Sequence, residues 1–331
     1  MNNPFQYYDK KDIHIPLYDK VTVTEMGNIL QIKHSSFHNQ QPSAKKLSKH
    51  LYINLKTGKL IESKKKTSTK RSESPVSLNR TFQKVGQLVQ ANVSEPEKVR
   101  WVTFTYRENM TDTKRLYEDF RRFYGRLVTY CKKHGWSKPE YISIAEPQGR
   151  GSWHLHVFFI WLDQVAPFIP NKDLENLWRH GFTKIKALKK TDNVAGYLVS
   201  YLRNIPFEDL PKEQREAKGN LNHDMKRIVK KGRLQFYPAS FNIYRHSRGI
   251  KLPIIKKMSG FEAFEKVKGA LPSYHCRKDF LIADMYDSTF QIVEFKRNAD
   301  GSWDNPQNTD DGDWEYDLTD TAFNAHRKQQ K

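Results

Sequence analysis

Apolar and polar positions settle into regular periods from Val99 onward. In VRWVTFTY, Val102, Phe104 and Tyr106 alternate with Thr103 and Thr105, the period of a strand. In TDTKRLYEDFRRFYGRLVTYCKKHG the spacing changes, and Leu116, Phe120, Phe123, Leu127, Val128 and Cys131 share one helical face. Thr111 and Asp112 suit the start of that helix, and Lys132, Lys133 and Gly135 suit its end. EYISIAE and WHLHVFFIW read as strands, and the turn-forming PQGRGS between them predicts an antiparallel hairpin. PNKDLENLWRHG is expected to be a short helix and FTKIKAL a strand with its lysines on one face. TDNVAGYLVSYLRN predicts a last helix, with Asp192 as cap and Pro206 soon after its end. Ahead of all this, Leu78, Phe82, Val85, Leu88 and Val89 have helical spacing. The succession predicts an α+β fold of the split βαβ, ferredoxin-like plan, with one largely antiparallel sheet and extensions at both ends.

The flanks read differently. Residues 1–74 are polar and basic and include ESKKKTSTKRSESP, too poor in apolar residues to pack alone, so they are expected to be an extension serving as linker or DNA-contacting loop. Residues 75–205 form the central domain and 206–296 an accessory region. In the latter, Arg233, Arg245, Arg248 and Lys251 mix with Phe236, Tyr237, Phe241 and Tyr244. Arginines can neutralise phosphate and aromatics can stack on bases there, although ordinary packing accounts equally well for half of the rings. FQIVEFKRNADGSW reads as a hairpin, and 297–331 as an acidic, flexible tail.

Charge narrows the partners. Lysine plus arginine number 57 against 37 acidic residues, a formal charge of +20, which points to a polyanion and to nucleic acid before membrane. Neither a charged-then-apolar leader nor a membrane-length apolar run is present, so a cytoplasmic protein is expected. The two cysteines, Cys131 and Cys276, lie far apart, so a metal would be held by histidine and oxygen.

The chemistry concentrates in EPQGRGSWHLH. Period two sends His154 and His156 to one strand face, where paired neutral imidazoles suit a borderline divalent cation. Hairpin pairing can bring Glu146 beside them as a third ligand, with Gln148 as an alternative donor and a plain surface glutamate as the bland reading. Two imidazoles and a carboxylate leave positions open for Lewis-acid chemistry on a phosphoryl oxygen. Tyr197 and Tyr201, four residues apart, share a helix face as candidate nucleophiles or as packing residues. No G-x-x-x-x-G-K-[ST] loop occurs, which excludes P-loop use of ATP.

VTFTY, EPQGRGSWHLHVFF and VAGYLVSYLRN, in that order, resemble the three motifs of HUH-superfamily rolling-circle replication initiators. These are the Rep proteins of plasmids, phages and related mobile elements of Gram-positive bacteria. ENMTDTKRLYEDF, GFTKIK and FNIYRHSRGIK add to the likeness, which spans roughly residues 75 to 255. The resemblance implies a metal-dependent endonuclease that nicks one strand of its origin. His154, His156 and Glu146 would be ligands of Mn²⁺ or Mg²⁺, and Tyr201 or Tyr197 would form a covalent 5′-phosphotyrosine. Arg150, Lys184, Lys186, Arg203, Arg245 and Arg248 would contact single-stranded or hairpin-extruded origin DNA, with a host helicase and DNA polymerase as partners. The family commonly carries a lysine one turn after its tyrosine. Here that position is Ile205 after Tyr201 and Tyr201 itself after Tyr197, so the primary tyrosine stays open, with Arg203 favouring Tyr201 by a narrow margin. A conjugative relaxase, or a non-catalytic DNA-binding regulator, is the alternative.

Overall fold

The computed structural model describes residues 5–10, 14–36, 44–48, 51–55, 57–62, 75–188, 204–206, 228–230, 232–282 and 286–304. In chain order the elements are β1 (Phe5–Lys10), β2 (Lys20–Met26), β3 (Ile29–Ser35), β4 (Ala44–Lys46), β5 (Leu51–Asn54) and β6 (Leu60–Glu62). There follow α1 (Pro75–Asn92), β7 (Val99–Tyr106), α2 (Thr113–Lys133), β8 (Glu140–Pro147), β9 (Trp153–Ile160), α3 (Asn171–Trp178) and β10 (Gly181–Ala187). Then come β11 (Asn204–Pro206), β12 (Ile228–Lys230), β13 (Tyr244–His246), β14 (Ile254–Ser259), α4 (Gly260–Glu265), β15 (Tyr274–Ile282) and β16 (Tyr286–Lys296). The chain divides into two compact units, 67–252 and a second made of 1–66 with 253–331.

The first unit carries the expected succession from Val99 to Ala187. Its five strands lie in the order β10-β7-β9-β8-β13, every neighbouring pair antiparallel. Helix α2 starts where Asp112 accepts bonds from the backbone N–H groups of Lys114 (2.8 Å) and Arg115 (3.2 Å). It ends in a Schellman turn: Gly135 takes φ +71°, and the N–H groups of Trp136 and Gly135 bond to the carbonyls of Cys131 and Lys132. Against this helix and α3, one face of the sheet presents Phe104, whose ring centroid lies 4.6 Å from Phe123 and 5.0 Å from Trp178. Full burial of such side chains contributes about 1.5–3 kcal/mol each. The opposite sheet face carries Trp101, Thr103, His154, His156 and Phe158, and it holds the candidate chemistry.

The second unit corrects the expectation for the N-terminus. Residues 5–62 are strands, and the main sheet runs β1-β15-β16-β3-β2-β14, so both ends of the chain interleave. Val21, Val23, Leu30 and Ile32 are buried there, but so are the polar Thr24, Gln31 and His34, with His34 Nε2 lying 2.8 Å from Asp19 Oδ2. A core face built partly from polar residues blurs the alternation that would reveal its strands. The expected hairpin at 290–303 is instead the end of β16, which pairs with β15 on one side and β3 on the other. Only an Arg297–Trp303 bridge closes back. Nearly all of the serine-rich basic run, 63–74, and the tail beyond 304 lie outside the described residues.

Candidate functional site

Cross-strand register assembles the site. Glu146 on β8 stands directly opposite His154 on β9, and His156 stands opposite Thr103 on β7. Directly paired residues point to one face, so Glu146, His154 and His156 share it. Glu146 is 1 % exposed and His156 6 % exposed, so their polar atoms must find partners within the protein. The His156 ring is held at both nitrogens: Nδ1 lies 3.1 Å from Thr103 Oγ1, and Nε2 contacts Glu146 Oε2. The second carboxylate oxygen, Oε1, forms an ion pair with the Arg233 guanidinium.

Arg233 corrects the sequence reading. Expected on a nucleic-acid surface, it is 5 % exposed, and burial lowers its pKa. The short 3-10 turn Gly232–Phe236 brings it to β8, where it also reaches the Pro147 carbonyl at 3.5 Å. Nearby, Tyr237 is buried and donates to the Ala145 carbonyl at 2.8 Å, and Phe241 stacks on Trp153 at 5.0 Å. These two rings therefore serve packing. Arg245 lies across the Tyr117 ring at 3.5 Å and pairs in register with Ser143, which places it on the helix-covered face away from the histidines.

Both imidazoles are neutral at pH 7. Burial, with His156 and Arg150 adding to it, pushes His154 down to about 4, and burial alone does the same for His156. The Glu146 charge is already met by Arg233, so His156 need not be protonated to stay beside it. Two polar atoms here are buried without a hydrogen-bond partner among the described residues: His154 Nε2 and Gln148 Oε1. Buried unpaired acceptors are rare and call for a ligand, a water or an ion. Two imidazoles, a carboxylate and an amide oxygen suit a divalent cation in kind. With Arg233 on the carboxylate, however, no group of three His, Cys, Asp or Glu side chains able to hold a metal occurs among the described residues.

Of the other residues singled out in the sequence, Lys184 and Lys186 are exposed on the histidine face, Lys186 with its Nζ 5.8 Å from the Trp101 ring. Arg150 is exposed in the β8–β9 turn and Arg248 beyond β13. Tyr197, Tyr201 and Arg203 lie outside the described residues. Sequence reasoning missed Arg233 and Thr103 as partners of the site. The strand period already put Thr103 on the face opposite Phe104, whereas nothing local tied Arg233 to Glu146. No described helix is long and apolar enough to cross a membrane.

No curated protein and no solved structure matches the chain. Residues 99–205, which run from β7 into β11 and include Glu146, His154, His156 and both candidate tyrosines, match the family model of the replication-associated protein ORF2. Over that part of its length the chain is similar to replication-associated proteins, and this supports a role in the initiation of DNA replication.

Proposed function

We propose that this protein is a rolling-circle replication initiator that nicks one strand of its origin by tyrosine attack. The observation that carries the reading is the joining of Glu146, His154 and His156 on one buried sheet face, with His154 Nε2 and Gln148 Oε1 unpaired, inside the segment similar to replication-associated proteins. The strand order β10-β7-β9-β8 supports the ferredoxin-like plan of HUH endonucleases.

A divalent metal, Mn²⁺ or Mg²⁺, held by His154, His156 and Glu146, would supply Lewis-acid polarisation of a phosphoryl oxygen. The chain's own residues do the rest. Thr103 orients the His156 ring through Nδ1, and the two imidazoles stay unprotonated and free to donate lone pairs. Lys184, Lys186 and Arg150 offer phosphate contacts, which set the strand's position. The phenolic oxygen of Tyr201 or Tyr197 bonds to phosphorus, and the 3′ oxygen leaves with a proton. A 5′-phosphotyrosine ester conserves the bond energy, and the 3′ hydroxyl is left for a host polymerase, with a host helicase opening the duplex ahead. The test is incubation of the protein with supercoiled cognate plasmid and Mn²⁺ or Mg²⁺. Nicked circles carrying protease-sensitive protein are expected, and plasmid left intact under every metal condition refutes the reading.

A second reading, a non-catalytic DNA-binding regulator, draws on one specific observation. Arg233 occupies the Glu146 carboxylate as a structural ion pair would. That protein would bind the plasmid in the same assay and leave it supercoiled.

A further inference from the structure

The sheet register extends the histidine face to an edge. Phe182 on β10 pairs with Thr105, Thr105 pairs with His154, and His154 pairs with Glu146, so these four residues form one row across the sheet. In the next row Lys184 pairs with Thr103, and Thr103 with His156. In the third, Lys186 pairs with Trp101. Residues paired in this way point to the same side. Thr183, between Phe182 and Lys184, points to the other side, where it is buried and donates to Asn171 Oδ1 at 2.9 Å. Gly181 fixes the start of the strand, because a Cβ there would lie 2.3 Å from the Thr105 carbonyl oxygen. Strand β10 is therefore seated tightly, and its outward residues are held on the histidine face.

Phe182 is 60 % exposed. An edge strand is protected by lysines such as Lys184 and Lys186, but an exposed phenylalanine between the sheet edge and the histidines gives no such protection. Its ring stands two strand spacings from His154, on the order of 10 Å. It is flanked along its own strand by two cations on the same face, in a chain of formal charge +20. Rings next to cations along a groove are what unpaired nucleotides require: the bases stack and the phosphates are neutralised, whereas bases paired in a duplex hide their faces.

We propose that Phe182 is a stacking platform for one unpaired base of single-stranded DNA, adjacent to the phosphate at the histidine site, with Lys184 and Lys186 on the backbone. The proposal rests on the reading that the histidine face processes DNA. A phenyl ring makes no hydrogen bonds to base edges, so the platform holds a nucleotide in place without selecting its identity.

The experiment measures binding of a mixed-sequence, fluorescein-labelled single-stranded oligonucleotide by anisotropy to the full chain. The variants are Phe182→Ala, Phe182→Leu, Phe182→Tyr and the double Lys184→Glu, Lys186→Glu, with circular dichroism to verify folding. Phe182→Ala and Phe182→Leu are expected to weaken single-strand binding by about 5- to 150-fold, the loss of one stacked base, while Phe182→Tyr retains it and duplex affinity stays unchanged. An oligonucleotide carrying 5-iodouracil next to the nick position is expected to crosslink at residue 182. If Phe182→Ala binds normally while the lysine double variant is weak, the platform is refuted and the DNA-binding face survives. If neither changes binding, DNA does not use this face, and the reading beneath the proposal fails with it. Full affinity in Phe182→Leu, or equal loss for duplex and single strand, refutes stacking in favour of apolar contact with the strand or with a protein partner.

Discussion

Replacing Arg233 with methionine removes a guanidinium and leaves a side chain of similar length. In the folded protein Glu146 is 1 % exposed and Arg233 5 % exposed, so water cannot replace the lost partner. The carboxylate would keep only His156, an imidazole that burial holds unprotonated. Breaking a buried ion pair from one side costs about 3–5 kcal/mol, because an uncompensated charge remains. For a folding unit of this size, each kcal/mol moves the melting midpoint by about 2–4 °C, so a fall on the order of 10 °C is expected. The double variant Glu146→Gln, Arg233→Met removes both charges and should recover most of that loss. Five of the seven tryptophans lie between residues 101 and 178, so intrinsic fluorescence in urea follows the unit that holds the site. The same Arg233→Met protein should bind Mn²⁺ more tightly than wild type, since the carboxylate is released. At a hundredfold excess over its dissociation constant, the ion would restore about 2.7 kcal/mol. A single-variant cost below about 1 kcal/mol, the range of exposed pairs, would refute the reasoning, as would additive losses in the double variant.

His154→Ala or His156→Ala should abolish nicking while leaving duplex binding nearly intact, because affinity comes mainly from phosphate contacts. Gel-shift titrations at rising salt should show affinity falling steeply in wild type and variants alike. Tyr197→Phe and Tyr201→Phe, assayed separately on a single-stranded origin oligonucleotide, should identify the adduct-forming residue. Loss in only one names it, loss only in the double variant makes the two interchangeable, and wild-type adduct in the double variant places the nucleophile elsewhere. His154 has a folded pKa of about 4 against 6.5 when unfolded, so the unfolded chain binds more protons in between. Stability from this group is therefore complete above pH 6.5 and lost as pH falls toward about 4, which urea melts across that range will read as a falling midpoint that His154→Gln flattens.

How much was legible depended on how local the signal was. Strands β7 to β10 and helices α1 to α3 were readable because Phe104, Leu116, Phe123 and their neighbours repeat at the period of a single element. The pairing of Glu146 with His154 followed from a short hairpin in the same way. Strands β2 and β3 were not readable, because Thr24, Gln31 and His34 sit in buried positions. Their sheet is completed by β14 and β16, more than two hundred residues away. Arg233 joins Glu146 across 87 residues of chain, and its neighbours Gln235, Phe236 and Tyr237 look as suitable for DNA as for packing. Burial alone separates the two roles, and burial is set by the tertiary fold.

The interleaving of the two chain ends sets an order of assembly on the ribosome. The unit formed by residues 67–252 is continuous in sequence and can fold once its own strands emerge. Strands β2 and β3 are made earlier but must wait, one edge of each unpaired, until β14 and β16 are synthesised. The nascent chain therefore carries an unfinished sheet while the histidine-bearing unit is already formed. A nonsense mutation shortly after residue 252 would leave that unit whole and strand the N-terminal segment without its partners, a target for proteases and for aggregation rather than a separate domain.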